Sequence, residues 1–369
     1  MTDTRIAIVH ERFTEVAGSE QVVEQLSLQW PSAPVYATLA RPSGVPAGLS
    51  SPPRTTWLES AYRLIREKSY APLTPFFPRA FRRMDLQAFD VVVVSHHAFA
   101  TQAVFATDAP VIAYVHSPAR WAWDRSLRTQ EAGGMAGRAV LVGLSRMARK
   151  GELSAVQRIS QVVANSTAVA RRIEQWWKRD AVVVHPPVDT EGFTPDSSVE
   201  REDFFLLAGR LVPYKRPDLA IAAARKAGVR LVVAGAGRSM KLCQEMAGDD
   251  TTFLGRVSHD ELLSLHRRAR ALLMPGIEDF GIVPVEAMAT GTPVIALGSG
   301  GALDSVIPDK TGVLVPPGGD PDVVDGFDSA IKGFDSSRFD PSQIRQWAEN
   351  FSHANFRARM QQVMDDVVG

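Results

Sequence analysis

The sequence predicts an α/β protein with two parallel-sheet domains. Short apolar segments of strand length alternate with helix-patterned segments through both halves of the chain, as in sheets whose two faces are covered by helices. At 369 residues the chain is too long for one ordinary domain and suits two domains of roughly 150 to 200 residues. A Pro-rich segment at 185–189 separates the halves. We therefore expect one domain over 1–187, a second over 188–345 and a terminal helix over 346–369.

Nine apolar segments are the predicted strands. An apolar run without alternation is typical of a parallel strand, because both faces of the sheet are buried. These segments are expected to form one parallel sheet in each domain. In the first half they cover residues 6–9, 91–95, 111–115, 162–164 and 182–184, and in the second half 204–208, 231–234, 271–274 and 294–297.

The composition excludes several classes of protein. Equal numbers of basic and acidic residues, 41 of each, argue against nucleic-acid binding by bulk charge. A single cysteine, Cys243, excludes an internal disulfide and a Cys-based metal cluster. No apolar run approaches the ~20 residues that span a bilayer. The first residues lead directly into a predicted strand without a signal-peptide pattern, so we expect a cytoplasmic protein.

The first predicted strand ends near a Gly turn that leads into a helix. Ala17 and Gly18 precede an amphipathic segment that is typical of a helix packed on a sheet. A strand, a Gly turn and a helix N-terminus together predict a phosphate pocket, which makes Gly18 a candidate binding residue. The inner face of the predicted helix carries Val22, Val23, Leu26 and Trp30.

Residues 54–83 depart from the alternating pattern. This segment has seven Arg or Lys residues and two Glu residues, interleaved with large apolar side chains. Such a stretch can lie on an anionic membrane, with its rings at the interface and its cations near lipid phosphates. It also fits two amphipathic helices packed on the first domain, and both interpretations stay open. The apolar side chains are Trp57, Tyr62, Leu64, Ile65, Tyr70, Phe76, Phe77 and Phe81.

A polar and aromatic segment, HSPARWAWD, follows the third predicted strand. It begins with His116 and continues through Arg120, Trp121, Trp123 and Asp124. A His at the end of a buried strand is more often a satisfied structural residue than a catalytic one. The indole rings could stack on a sugar, although simple packing explains them equally well.

Two separated cations follow the strand predicted at 204–208. Arg210 and Lys215 would both face the carboxyl end of that strand. A diphosphate gains negative charge as a bond to it breaks, and preorganised cations stabilise that charge most strongly in the transition state. The alternative is that these are surface charges, as we expect for Arg216. Arg210 and Lys215 are therefore candidate catalytic residues.

The segment 278–286, EDFGIVPVE, is the most informative part of the chain. Gly281 and Ile282 are expected to begin a helix, so free backbone N–H groups and a positive dipole end lie between two carboxylates. Such a place can bind phosphate through the helix and hydroxyls through Glu278 and Glu286. Acidic residues also favour helix starts without any ligand.

Together these motifs resemble the donor site of the retaining GT-B glycosyltransferases of family four, and the resemblance extends over nearly the whole chain. It rests on E-x7-E at Glu278 and Glu286 and on Gly-Arg-x5-Lys at 209–215. The resemblance implies two Rossmann-like domains facing each other across a cleft, with a C-terminal helix that crosses back to the first domain. The chain departs from the family pattern at Ala17, where relatives usually have Gly.

The resemblance also implies roles for individual residues. Glu278 would contact hydroxyls of the donor sugar, and Glu286 would hold the nucleotide ribose. Arg210 and Lys215 would bind the diphosphate in place of a metal ion, so neither a metal nor a cofactor is expected. His116 would bond a hydroxyl of the donor sugar. The remaining donor contacts are expected at Gly18, Gly209, Gly235, Arg256, Val257, Phe280, Gly281, Ile282 and Val283.

The HSPARWAWD segment is typical of a branch that contains O-antigen-type mannosyltransferases. The resemblance therefore favours GDP-mannose as donor and a hydroxyl of a glycan or lipid-linked molecule as acceptor. The alternative is a UDP- or dTDP-sugar with a small-molecule or natural-product acceptor. Arg120, Trp121 and Asp124 are the candidate acceptor-side residues. Lipid-linked acceptors are common among related enzymes, which favours peripheral contact with the inner face of the plasma membrane.

Two other classes of function stay open. A nucleotide-sugar 2-epimerase of the same fold would need acid and base residues at the sugar, so the motifs favour transfer. A non-catalytic partner- or membrane-binding protein could retain the fold, but the intact charged positions of the donor motifs argue against it. We therefore predict a metal-independent, retaining hexosyltransferase in which the departing diphosphate takes the acceptor proton.

Overall fold

The computed structural model describes residues 4–124 and 134–369. The chain forms two compact units, the first of Met1–Pro187 together with Phe356–Gly369 and the second of Val188–Asn355. The second unit continues past the boundary expected at residue 345. Each unit contains one parallel sheet with helices around it, so the predicted fold class is confirmed.

The first unit is built on a sheet of seven parallel strands among the described residues. They are β1 (Ile6–His10), β2 (Val35–Ala37), β3 (Arg54–Thr55), β4 (Val91–His96), β5 (Val111–Val115), β6 (Gln161–Ala164) and β7 (Val182–Val183). Their order across the sheet is β3-β2-β1-β4-β5-β6-β7. The order reverses between β1 and β4, which is where ligands bind in open α/β sheets.

The second unit has a parallel sheet of six strands in the described part of the chain. They are β8 (Phe205–Ala208), β9 (Leu231–Ala234), β10 (Thr251–Gly255), β11 (Ala271–Met274), β12 (Val294–Leu297) and β13 (Gly312–Val315). Their order is β10-β9-β8-β11-β12-β13. The reversal here lies between β8 and β11.

Helices cover both faces of each sheet. The helices within Met1–Pro187 are α1 (Gly18–Gln29), α2 (Leu58–Leu64), α3 (Phe77–Phe81), α4 (Arg120–Trp123), α5 (Gly134–Ala155) and α6 (Thr167–Trp177). The later ones are α7 (Pro217–Ala227), α8 (Met240–Met246), α9 (His259–Arg268), α10 (Ile282–Ala289), α11 (Ala302–Ser305), α12 (Asp320–Lys332), α13 (Pro341–Ala348) and α14 (His353–Val368).

All nine predicted strands are present within one residue of the expected bounds, and β2, β3, β10 and β13 were missed. The missed strands lack a long apolar run. β3 consists of two exposed residues, and β10 alternates between half-buried and exposed positions at the sheet edge. β13 begins with Gly312, where a Cβ atom would lie 1.9 Å from the carbonyl oxygen of Val294. Glycine usually weakens a strand, but Gly312 is explained by the close approach of the neighbouring backbone.

The terminal helix α14 contributes to the core of the first unit. Its inner face packs in the same apolar cluster as residues of β1 and α1. Gln361 accepts a hydrogen bond from the Trp30 indole N–H at 3.0 Å. The buried side chains of α14 are Phe356, Met360, Val363 and Met364. In the part of the chain that the structure describes, every helix falls short of the length and apolarity that a membrane crossing needs.

The segment 54–83 contains α2, a 3₁₀ helix at Ala71–Phe76 and α3. It divides its apolar side chains between two environments. Tyr62, Phe77 and Phe81 are buried in the core of the first unit, as the packing interpretation expects. The exposed side chains are Trp57, Leu64, Ile65 and Phe76. The structure therefore supports packing for part of the segment and leaves these four apolar side chains exposed.

Candidate functional site

A concave site lies at the carboxyl ends of β8 and β11, where the order of the second sheet reverses. Its walls are formed by residues 207–211 and 272–276, together with Glu278. Lys215, Pro217, Val283 and Pro284 complete the lining. The site therefore occupies the position at which open parallel sheets bind ligands.

Close backbone contacts at this edge require glycine. Gly235 has φ +152°, and a Cβ atom there would lie 1.8 Å from the carbonyl oxygen of Gly209. A Cβ atom on Gly276 would lie 2.6 Å from the Cα atom of Lys215. The loops after β8, β9 and β11 thus pack backbone against backbone, which holds Lys215 against the strand ends.

Lys215 and Glu278 form an ion pair in this site. Nζ lies 3.0 Å from Oε1, and the side chains are 18% and 19% exposed. On the more exposed side, Arg210 Nη2 donates a hydrogen bond to Tyr214 Oη at 3.1 Å. The structure therefore brings both predicted cations and the first predicted carboxylate to one cluster of loops.

Helix α10 begins at Ile282, as expected, with Gly281 as its N-cap at φ +93°. The first N–H groups of a helix have no intrahelical acceptor, so the amides of Ile282 and Val283 are directed toward the preceding loop. Pro284 supplies no N–H. The helix start can therefore offer two backbone donors to an anion, with the helix dipole adding to the attraction.

A second glycine-rich loop supports residues 278–280 from behind. Gly301 N–H donates to the carbonyl oxygen of Glu278 at 3.0 Å, and a Cβ atom on Gly301 would lie 2.2 Å from the Cα atom of Phe280. The Phe280 ring is buried and lies 5.4 Å from that of Phe351. Phe280 can thus offer the ligand its backbone, while its side chain anchors the loop in the core.

The Glu286 carboxyl group lies on α10 without a hydrogen bond or ion pair to any described residue. Burial raises its pKa to about 7; the charge of Lys215 opposes this rise and that of Asp189 adds to it. An unpartnered carboxyl group in a site is able to accept hydrogen bonds from hydroxyls. Glu286 does not line the concave site in the described part of the chain, and its contact with the ribose stays a prediction.

Gly235, Arg256 and Val257 are the expected donor contacts that would lie near the nucleotide base, and the structure brings their loops only partly to the site. Gly235 contacts Gly209 closely and donates its N–H to the carbonyl oxygen of Gly255 at 2.6 Å. Arg256 and Val257 follow β10 at the sheet edge and do not line the concave site in the described part of the chain. Their contact with the base stays a prediction.

In the first unit, His116 follows β5, one strand from the point where that sheet reverses. Its Nε2 lies 2.8 Å from Ser95 Oγ, and its ring stacks on His97 with centroids 4.5 Å apart. Burial, assisted by the neighbouring His10, lowers the pKa of His116 to about 3. The ring is therefore neutral at physiological pH and cannot balance the charge of a diphosphate.

Gly18 begins α1, and the turn before it is extended rather than left-handed. Ala17, the N-cap, has φ −142°, so Ala replaces the usual Gly without strain. Glu20 Oε2 accepts hydrogen bonds from the Ala17 N–H at 3.1 Å and from Ser19 Oγ at 2.8 Å. This carboxylate already caps the helix, and phosphate binding at Gly18 stays a prediction.

A buried carboxylate on α5, Glu152, holds the HSPARWAWD segment. Oε1 accepts from the Ala119 N–H at 2.8 Å, and Oε2 accepts from the indole N–H groups of Trp123 and Trp177 at 2.5 and 3.1 Å. The Trp123 ring stacks on Trp176 at 5.6 Å between centroids. For Trp123, the packing interpretation is therefore favoured over stacking on a sugar.

The candidate acceptor-side residues lie on α4, a helical turn where the sequence suggested a loop. Arg120 is its first residue, and Asp124 is its C-cap, with the Asp124 N–H donating to the Arg120 carbonyl oxygen at 2.7 Å. The Trp121 ring lies 6.3 Å from that of Phe99 between centroids. All three candidates are partly exposed.

Several polar side chains that support these sites were missed. Glu20, His10 and Ser95 are buried beside His116, and Glu152 anchors the segment after it. Isolated polar residues have no spacing that distinguishes them from surface positions. One signal was available: the polar residues after the valines at 91–94 mark the carboxyl end of a central strand.

Two family models match consecutive parts of the chain. Residues 16–192 match Glycosyltransferase Family 4, and residues 190–339 match Glycosyl transferases group 1. The first range contains His116, and the second contains the ion pair of Lys215 and Glu278 as well as Glu286.

Curated relatives match less than half of the chain. The D-inositol 3-phosphate glycosyltransferase of Mycobacteroides abscessus is 34% identical over 190 residues, covering 45% of this chain and 43% of the relative. The protein of the same name from Mycolicibacterium smegmatis is 33% identical over 189 residues, covering 45% and 44%. The match therefore spans less than half the length of each relative.

Solved structures match over nearly the whole length. HepE from Anabaena in complex with UDP has a TM-score of 0.69 and 17% identity, covering 98% of this chain and 100% of HepE. Sucrose-phosphate synthase from Thermosynechococcus elongatus has a TM-score of 0.71 and 20% identity, covering 99% of both chains. At this level of identity the likeness shows the fold.

Proposed function

We propose that this chain is a GT-B glycosyltransferase that transfers a hexose from a nucleoside diphosphate sugar to a hydroxyl. The matches of residues 16–192 to Glycosyltransferase Family 4 and of residues 190–339 to Glycosyl transferases group 1 support this proposal. The observation that carries this proposal is the convergence of Lys215, Glu278 and the start of α10 at one sheet edge. Cations and free amides suit the acceptor-only oxygens of a diphosphate, whereas carboxylates suit the hydroxyls of a sugar.

The ion pair suggests how a donor would be bound. The Lys215 ammonium only donates hydrogen bonds and the Glu278 carboxylate only accepts them. When a donor binds, Lys215 can therefore replace Glu278 by a phosphate oxygen of the donor. Glu278 can replace Lys215 by hydroxyls of the donor sugar. Arg210, in the same loop, is the proposed second cation. Two fixed positive charges would offset the charge that develops on the leaving group without a metal ion.

In the proposed reaction the acceptor hydroxyl attacks the anomeric carbon on the face from which the diphosphate departs. The bond from that carbon to the diphosphate oxygen breaks, a bond to the acceptor oxygen forms, and the hydroxyl proton passes to the departing phosphate. The protein supplies orientation and charge stabilisation. Glu286 is proposed to hold the ribose.

GDP-mannose is the donor we propose to test first, because the HSPARWAWD segment is typical of mannosyltransferases. UDP-glucose is the competing donor, and its support is HepE, which has been solved in complex with UDP-glucose. The name shared by the curated relatives makes D-inositol 3-phosphate a useful acceptor probe.

A donor panel tests the proposal. Thermal shift and slow hydrolysis are measured with GDP-mannose, UDP-glucose, UDP-N-acetylglucosamine and a dTDP-sugar, each with and without D-inositol 3-phosphate. We expect one donor to stabilise the protein and to lose its sugar. A 2-epimerase would instead change the configuration at C2 of the sugar and leave the sugar attached to the nucleoside diphosphate. A non-catalytic protein would leave every donor intact.

We also propose that the first unit contacts an anionic membrane through segment 54–83. Its exposed apolar side chains are Trp57, Leu64, Ile65 and Phe76, which are 49%, 84%, 38% and 49% exposed. Four cations of the segment have no partner among the described residues, namely Arg66, Lys68, Arg79 and Arg83. Rings at the interface and cations near lipid phosphates fit an anionic lipid surface, where a lipid-linked acceptor would be found.

A further inference from the structure

Four buried polar side chains of the first unit, those of Glu20, His10, Ser95 and His116, form one continuous line of hydrogen bonds. Glu20 Oε1 is 3.3 Å from His10 Nε2, and His10 Nδ1 is 3.0 Å from Ser95 Oγ. Ser95 Oγ is in turn 2.8 Å from His116 Nε2. The line therefore connects the helix-capping carboxylate of α1 to the imidazole at the end of β5 through consecutive hydrogen bonds.

The carboxylate gives this line a direction. Burial alone would raise the pKa of Glu20, but hydrogen bonds from His10 and Ser19 hold it below its ordinary value, so Glu20 is ionised and only accepts. His10 must then donate through Nε2. We take His10 as neutral, so its imidazole has one N–H, and Nδ1 of His10 is left as the acceptor for the Ser95 hydroxyl proton.

The Ser95 hydroxyl has a single proton, and His10 receives it. Ser95 Oγ can therefore only accept from His116, whose proton must lie on Nε2. We propose that Glu20, His10 and Ser95 are positioning residues that fix His116 in the Nε2–H form and leave its Nδ1 as an acceptor for a ligand hydroxyl. The role toward a sugar hydroxyl rests on the proposed function, whereas the position of the proton does not.

Packing around His116 holds the plane of its ring in place. The His97 ring stacks on it with an interplanar angle of 14°, and the Tyr114 ring meets it edge-on with centroids 5.2 Å apart. Nδ1 of His116 hydrogen-bonds to no described residue. A fixed acceptor at Nδ1 selects hydroxyl or N–H groups and rejects phosphate oxygens, which are themselves acceptors.

The position of the proton is measured in the wild-type protein. With ¹⁵N-labelled histidine, NMR at neutral pH distinguishes a protonated ring nitrogen from a bare one, and His116→Asn identifies the His116 signals. We expect a protonated Nε2 and a bare Nδ1. A proton on Nδ1, or a mixture of both forms, would overturn the proposal, because the line of hydrogen bonds would then run the other way or not at all.

Two variants test whether Ser95 transmits the effect. Ser95→Ala removes the hydroxyl and should leave His116 as a mixture of both forms, whereas Ser95→Thr retains the hydroxyl and should restore the Nε2–H form. Ser27→Ala, a buried serine bonded to Ser50, is the matched control and should change nothing at His116. An unchanged His116 in Ser95→Ala would contradict the proposal. Absent donor turnover with an Nε2–H His116 would count against the proposed function alone.

Discussion

At the scale of single residues, Glu286 combines a half-buried carboxyl group with a pKa near neutrality. The raised pKa, about 7, means that a proton is bound by a substantial fraction of the ligand-free protein at neutral pH. Only the ionised form accepts hydrogen bonds through both oxygens. Nucleotide binding through this residue should therefore depend on pH in the range where most carboxylates do not titrate.

We predict that affinity for a nucleoside diphosphate rises severalfold between pH 6 and pH 8 through ionisation of Glu286. Glu286→Gln should bind more weakly and should lack this part of the pH dependence. Isothermal titration calorimetry of GDP and UDP at several pH values measures both, and comparison at each pH removes the titration of the ligand itself. Parallel pH profiles for the two proteins would rule out Glu286 as the ribose contact.

The raised pKa of Glu286 should also make the folded protein less stable as pH rises, whereas nucleotide affinity should increase. Its pKa is 4.5 ordinarily and about 7 in the folded protein, so the proton binds more tightly to the folded state. Stability is therefore lost as pH rises from about 4.5 to 7, by ~2 kcal/mol after allowance for partial exposure. Glu286→Gln should be more stable than wild type above pH 7 and equal to it near pH 4 in thermal unfolding. A difference independent of pH would contradict this prediction.

Lys215 should matter chiefly for turnover. Lys215→Ala removes one preorganised charge from the leaving group and should lower kcat by ~100-fold. Lys226→Ala, which breaks an exposed ion pair with Asp325, is the matched control and should retain full activity. Steady-state kinetics with the active donor distinguish the two. Equal loss in both variants would mean that general destabilisation, rather than the site, explains the effect.

At the scale of elements, apolar runs predicted the central strands, because a parallel strand buried on both faces must be apolar along its length. The edge strands were not predictable in this way. Segment 251–255 begins with two Thr residues and ends with Gly, so it has no long apolar run, although it pairs with β9 in the sheet. The roles of Gly276 and Gly301 could not be predicted either. Gly276 is required by the backbone of Lys215 and Gly301 by that of Phe280, and both contacts form only in the folded chain.

The donor motifs were predictable because their spacing reflects one turn between a strand and a helix. Gly209, Arg210 and Lys215 follow a single strand, and Glu278 and Glu286 flank a single helix start. The line from Glu20 to His116 was not predictable. Its members come from α1, β1, β4 and the end of β5, and only the sheet order brings them together.

Segment 54–83 should bind anionic vesicles in a salt-dependent manner. Replacing Arg79 and Arg83 with Gln removes two unpartnered cations, each worth ~1 kcal/mol near an anionic surface, so affinity should fall by ~30-fold. Arg82 is left intact because it donates to Gln102 and is part of the packing. Co-sedimentation with vesicles containing anionic lipid measures the effect, and Lys241→Gln on the second unit is the control.

Salt provides a second arm of that experiment. Exposed charges are screened over about 10 Å at 0.1 M salt, so vesicle binding should weaken steeply as salt rises. Vesicle binding that is unaffected by salt and by the two substitutions would show that segment 54–83 is only part of the surface of the first unit and does not bind the membrane. Nucleotide binding by the same variant should be unchanged, because neither Arg79 nor Arg83 is among the candidate donor contacts.

At the scale of the whole molecule, the second unit is continuous from Val188 to Asn355 and contains the convergent donor motifs. The first unit is completed by the chain's terminal helix α14, whose inner face lies in its core. The family models meet at 190–192, close to the division between the units. The division into two parallel-sheet units therefore follows from both sequence and structure.

Release of nucleoside diphosphate from a nucleotide sugar, measured with the full chain in excess chelator, tests the central claim most directly. We predict that one donor of the panel is cleaved at a rate unaffected by the chelator, and that Arg210→Ala and Lys215→Ala each reduce this rate by ~100-fold. Loss of activity in chelator with full recovery on adding a divalent ion would contradict the claim that these two cations stabilise the leaving group in place of a metal.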